Sequence, residues 1–180
     1  VLGNGARCNP LTISDAHTRY VLRCQGLGSK TDFSRIQPLF EAAFDEFGLP
    51  ERLRTDNGPP FATTGLGGLS HLSVWWMELG IVPERIRPGS PQENGRHERM
   101  HRTLKAETTQ PPARSLRAQQ MLFDQWREVF NGERPHEALG QQTPASLYTP
   151  SPRRLPPGPP PAWHYGDLID EERMVRKGGQ

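Results

Sequence analysis

Arg52-Leu53-Arg54-Thr55-Asp56-Asn57-Gly58-Pro59-Pro60-Phe61 is the stretch on which the reading of this chain turns. Arg52 to Thr55 has the length and bounds of a short strand, and it ends at Asp56. A strand fixes its own backbone, so a carboxylate at its end, facing an open sheet edge, is well placed to hold a metal ion. Asn57-Gly58 supplies a tight turn that keeps such a site uncluttered. The same tetrapeptide also suits an ordinary loop turn, so the chemistry has to be argued from what surrounds it.

Upstream, Leu11–Ser14 and Tyr20–Cys24 read as two strands joined by the polar turn Asp15-Ala16-His17-Thr18, a hairpin pattern. From Ser34 to Phe47, Ile36, Leu39, Phe40, Ala43, Phe44 and Phe47 recur at helical spacing, and Gly48-Leu49-Pro50 stops the helix. Pro38 fits only if that helix starts close to Ser34. Downstream, 69–79 reads as a helix, 81–86 as a strand, 87–95 as a Pro/Gly-rich loop, and 96–107 and 115–130 as two further helices. The order strand, strand, helix, strand, helix, strand, helix, helix predicts an α/β domain with a mixed sheet covered by helices. Eight of the 19 prolines lie between Pro144 and Pro161. The expected organisation is therefore a core over 1–149, a proline-rich linker over 150–162, and a charged segment over 163–180 that opens a small β domain or forms a tail.

The second decisive stretch is Ser90-Pro91-Gln92-Glu93-Asn94-Gly95-Arg96-His97-Glu98-Arg99, running into Met100-His101-Arg102-Thr103-Leu104-Lys105. Together with Arg54–Phe61 it resembles the core of retroviral-type integrases and the related transposases of bacterial insertion sequences. Phe130-Asn131-Gly132-Glu133-Arg134-Pro135-His136-Glu137-Ala138-Leu139, followed by Thr143-Pro144-Ala145, resembles the segment that closes the core in the bacterial members. Three separated motifs in the right order, spread from about Leu11 to Pro152, make the signal specific.

The resemblance implies a ribonuclease-H-like fold with three acidic residues around two divalent ions, Mg²⁺ or Mn²⁺, which prefer hard oxygen ligands. Two such ions clamp the attacking and leaving oxygens of an in-line displacement at phosphorus. In the family, water first exposes a 3′-hydroxyl at the element end, and that hydroxyl then attacks target DNA. Carried over by motif, Asp56 is the second acid. Glu93 and Glu98 compete for the third: 36 residues separate Asp56 from Glu93, and 41 separate it from Glu98. Spacing favours Glu93. Motif register favours Glu98, because Glu93 lies inside the Pro-Gln-x-x-Gly pattern that the family Glu follows. Helix geometry agrees, since Glu93 precedes the loop signal Asn94-Gly95 while Glu98 falls within the helix. Arg102 and Lys105 share the helix face of Glu98 and can meet DNA phosphates; Asn57 and Arg96 are the other expected DNA contacts. The first acid departs from the family pattern. It is expected on a strand ahead of a loop like Gly3-Asn4-Gly5, but the sequence opens at Val1 and has no Asp or Glu before Asp15. Asp15 lies in a turn where the family often has a non-catalytic Asp. The expectation is thus a core whose first strand and first acid lie outside these residues. A non-catalytic DNA-binding remnant is the alternative.

Bulk properties fit without deciding. The net charge is +2, and of 22 basic residues only Lys30, Lys105 and Lys177 are lysine. Arginine forks suit phosphate, although a genome-wide preference for arginine explains the count equally well. No apolar run is long enough to span a bilayer, so a cytoplasmic protein without a membrane partner is expected, acting on element ends and target DNA as a homo-oligomer. Cys8 and Cys24 are expected as free thiols. His97-Glu98-Arg99-Met100-His101 also matches the zinc-hydrolase pattern H-E-x-x-H. Against that reading stand Leu104 and Glu107, where the extended pattern needs Gly and His, and the charged Arg99 and Arg102. Trp75, Trp76 and Met77 are expected in the core, His136 as a structural residue, and Arg153-Arg154 in a solvated linker or on DNA.

Overall fold

The computed structural model describes residues 1–29, 31–55, 61, 69–86 and 95–158. Its elements are β1 (Asn9–Ser14), β2 (Val21–Leu27), α1 (Phe33–Phe47), β3 (Arg52–Thr55), α2 (His71–Glu78), β4 (Val82–Arg85), α3 (Gly95–Thr108), α4 (Leu116–Gly132), a 3₁₀ turn (Glu137–Leu139) and α5 (Pro144–Leu147). The predicted order of strands and helices is the observed one. Asp32 caps α1 by accepting from the Arg35 N–H, so the helix starts just before Ser34 and Pro38 still lies inside it. Ser70 and Ser73 form a reciprocal capping box at α2, which satisfies two otherwise orphaned backbone donors.

β1 and β2 pair antiparallel, with an irregularity between Ile13 and Ser14, and β3 pairs parallel with β4. Both pairing senses of a mixed sheet are therefore present, but among the described residues they form two separate two-stranded sheets. Period-two alternation sends Leu11, Ile13 and Leu27 to one face, against the α1–α2 core. Thr12 and Cys24 face the other way, towards α3 and α4.

Two apolar layers result. The first joins Ile36, Phe40 and Phe44 of α1 to Leu72, Trp75 and Trp76 of α2, with Phe40 edge-on to Trp76 at 5.1 Å and Phe44 stacked on Trp75 at 5.7 Å. Trp75 and Trp76 are core residues, as expected. Burying each such side chain contributes about 1.5–3 kcal/mol. The second layer joins Val21 and Cys24 to Met100 and Leu104 of α3 and to Phe123, Trp126 and Phe130 of α4.

The outer edge of β2 is closed by polar side chains of α4. Gln120 accepts from the Gly26 N–H and donates to the Cys24 carbonyl, each at 2.8 Å. Arg127 donates to the Leu22 carbonyl at 2.7 Å. Asn131 accepts from the Val21 N–H at 2.8 Å and donates to its carbonyl at 3.0 Å. A strand edge is a row of unpaired donors and acceptors, and these side chains occupy it.

Arg153 departs from both roles considered for it. Its guanidinium donates to the carbonyls of Pro50, Leu79 and Gly80 at 2.7, 3.0 and 2.9 Å, and its own carbonyl accepts from Leu49 N–H. It ties the segment beyond Pro150 to the ends of α1 and α2. Both cysteines are free thiols. Among the described residues, no helix is long and apolar enough to cross a membrane.

Candidate active site

The strand that leads into Asp56 is held in register by charge. Arg52 and Arg54 on β3 both reach Glu84 on β4, at 3.0 Å each, and Thr55 is aligned with Arg85. Hydrogen bonds from Arg52 and Arg54 hold the Glu84 carboxyl below its usual range. β3 is therefore firmly anchored up to Thr55. Asp56 and Asn57, like Glu93, lie outside the described residues.

α3 carries the other half of the expected site. Met100, Leu104 and Thr108, four residues apart, are its buried stripe. Glu98, Arg102 and Lys105 are all exposed and share another face by helical spacing. Glu98 takes part in no ion pair among the described residues. Its carboxylate is an available hard-oxygen donor, which suits a divalent ion of the magnesium type. Among the described residues there is no group of three or more His, Cys, Asp or Glu side chains able to hold a metal ion.

Flanking Glu98, His97 and His101 converge on one hydroxyl. Thr12 Oγ1 on β1 lies 3.3 Å from His97 Nε2 and 2.7 Å from His101 Nε2, with the two rings 4.4 Å apart. A hydroxyl can donate to one ring nitrogen and accept from the other. Burial, and then the charge of His97, pushes the His101 pKa down to about 4, so His101 is neutral at physiological pH. The histidine pair of the H-E-x-x-H pattern is thus a contact that docks α3 on β1. Its spacing was visible in the sequence; its Thr12 partner was not.

Arg96, expected on DNA, donates through Nη1 to the carbonyl of Ala16 at 3.2 Å and joins α3 to the β1–β2 turn. Arg134 makes a two-oxygen pair with Glu107 at 2.8 and 2.7 Å, bracing α3 against the end of α4. His136, expected as structural, packs edge-on against Phe130 at 4.8 Å, and its backbone bridges to Gln142. Burial, then the charges of Arg19 and Arg134, lowers its pKa.

Comparison with known proteins converges on the same family. Residues 79–144, which hold β4, α3, α4 and the 3₁₀ turn, match the integrase core domain family. The chain is 28% identical over 147 residues to the "Insertion element IS476 uncharacterized 39.2 kDa protein" of Xanthomonas euvesicatoria, covering 81% of this chain and 40% of that one. It is 28% identical over 153 residues to the "Insertion element IS407 uncharacterized 31.7 kDa protein" of Burkholderia multivorans, covering 81% of this chain and 50% of that one. The chain therefore spans half or less of the length of these curated relatives. In fold it is similar to a chain of the cryoEM structure of a simian T-cell lymphotropic virus intasome in complex with the PP2A regulatory subunit B56 gamma. There the TM-score is 0.58 at 19% identity, covering 91% of this chain and 61% of the other. Residues 79–144 thus resemble the integrase core domain, and most of the chain is similar to proteins of bacterial insertion elements.

Proposed function

We propose that this chain contributes the catalytic core of a transposase that cuts and joins DNA by metal-dependent phosphoryl transfer. The observation that carries the reading is the position of Glu98. It lies inside the stretch matching the integrase core, on a helix whose exposed face also bears Arg102 and Lys105. Asp56 and Glu98 are the acidic pair we assign to hold Mg²⁺ or Mn²⁺, which when bound supply charge neutralisation and activation at the reacting phosphodiester.

The chain's own residues have separable tasks. Glu98 offers carboxylate oxygen at a point fixed by the His97–Thr12–His101 contact. Arg102 and Lys105 bind and orient the phosphate backbone beside it, and Arg96 and Asn57 add contacts at the margins. The fold is read as ribonuclease-H-like. The closed outer edge of β2 supports this, because a further strand can then join the first sheet only beside β1. A strand lying between β1 and β3 would unite the two sheets and bring the first acid next to Asp56. The linker expected over 150–162 begins, in this reading, only beyond Leu155, since Arg153 and Leu155 are held on the core, and it leads to a further segment at 163–180. The active form is a multimer, because joining two element ends to a target requires several active sites.

The test is nicking of a labelled element end by the full-length protein in Mg²⁺ or Mn²⁺. Asp56→Asn and Glu98→Gln should each abolish nicking while leaving DNA binding largely intact. Undiminished nicking in both variants overturns the assignment.

A further inference from the structure

The turn between β1 and β2 is more rigid than its polar sequence suggests. Asp15 Oδ2 accepts from the N–H groups of His17 and Thr18 at 3.2 and 2.6 Å and from the Thr18 hydroxyl at 2.7 Å. Asp15 N–H donates to the Tyr20 carbonyl, and Arg19 N–H donates to the Asp15 carbonyl. In this frame Arg19 is half-buried and has φ +66°. That left-handed conformation suits Gly or Asn and costs a long side chain about 1 kcal/mol or more.

Two arginines of α3 approach the same turn. Arg96 is bonded to Ala16, and Arg99 lies one helical turn further on. Burial, then the charges of Arg96 and Arg99, depresses the Arg19 pKa. None of the three forms an ion pair with a carboxylate among the described residues. Arg23, Arg52, Arg54 and Arg134 each have one, with Glu46, Glu84, Glu84 and Glu107. Like charges gathered on a rigid turn, with one of them partly desolvated, disfavour the free protein and favour an anionic partner.

We propose that Arg19, Arg96 and Arg99 form a phosphate seat that anchors a DNA backbone on the β1–β2 turn, extending the face that carries Glu98, Arg102 and Lys105. The inference rests on the reading of this chain as a DNA-acting protein, and adds to it a second, rigid point of attachment. Planar guanidinium forks supply paired donors to phosphate oxygens. The Arg96–Ala16 bond keeps turn and helix at a constant separation, so both can engage one backbone.

The experiment is binding of the whole chain to a short labelled duplex of arbitrary sequence in EDTA, by fluorescence anisotropy, between about 50 and 200 mM salt. Arg19→Asn removes the charge yet suits the left-handed backbone, so its unfolding midpoint should not fall. Arg19→Asn and Arg99→Gln should each weaken binding about five-fold and reduce the salt slope by about one phosphate contact. Unchanged affinity and slope in both variants, with wild type binding well, overturns the seat and leaves the wider reading intact. A wild-type chain that binds no duplex overturns both. Equal competition by polyglutamate would also overturn the seat, pointing to an acidic protein partner.

Discussion

Asn131 occupies the place of a neighbouring strand for Val21: its amide accepts from the Val21 N–H at 2.8 Å and donates to the Val21 carbonyl at 3.0 Å. Val21 is wholly buried and Asn131 nearly so. Removing the amide leaves two buried backbone groups without partners. Asn131→Ala should therefore cost about 2–4 kcal/mol in urea unfolding. Asn131→Asp, which keeps an acceptor and loses the donor, should also be destabilised. A loss below about 0.5 kcal/mol for the alanine variant would show that the edge finds other partners.

Stability should fall in mild acid. The His101 pKa lies at about 4 in the fold, against about 6.5 unfolded. The unfolded chain thus binds the extra proton first, between these two values. The stabilisation is complete above the unfolded value and is lost as pH falls through 6.5 towards 4. Discounted for partial exposure, the effect is on the order of 1–2 kcal/mol. His136, lowered in the same direction, adds to it. Thermal unfolding of His101→Asn, which keeps a polar group near Thr12, should show a shallower pH dependence than wild type. Superimposable profiles would remove His101 as the cause.

The two thiols should react unequally. Burial raises both, and Cys24 is pushed up to about 12. The thiolate is the reactive form. Iodoacetamide at mildly alkaline pH should therefore modify Cys8 well before Cys24, with Cys24 becoming reactive only on unfolding. Peptide mapping over time reads the order, and equal rates would contradict the buried position of Cys24.

Glu93 and Glu98 can be separated by paired substitution. If Glu98 is the third acid, Glu98→Gln eliminates element-end nicking and Glu93→Gln leaves it within about threefold of wild type, a barrier change below 1 kcal/mol. The reverse pattern would restore the spacing argument for Glu93.

How much was legible in the sequence depends on the range of each interaction. The helical recurrence of Ile36, Phe40, Phe44 and Phe47 and the alternation through Leu11, Thr12 and Ile13 are local, so their elements could be read within a few residues. Glu98, Arg102 and Lys105 could be placed on one helix face for the same reason. The edge bonds of Gln120, Arg127 and Asn131, about a hundred residues from their partners on β2, have no periodic signature. Thr12 as the partner of His97 and His101 was hidden likewise. So was Arg153, whose dibasic, proline-rich surroundings read equally as solvated linker or as a DNA contact. Strand pairing is non-local too, so the sequence did not show that the described strands pair as two separate two-stranded sheets.

Arg153 also changes where a stable fragment ends. Ser151 N–H donates to the Phe47 carbonyl, Leu155 packs on the first apolar layer, and Gly48, at φ +80°, leaves no room for a β-carbon against the Ser151 backbone. Residues 151–155 are thus a strap over the ends of two helices. Limited proteolysis should spare Pro150–Leu155 and cut later, and shortening the chain to residue 149 should loosen α1 and α2 as well as removing a tail. The boundary at which this polypeptide can be divided is set by three backbone carbonyls receiving one guanidinium.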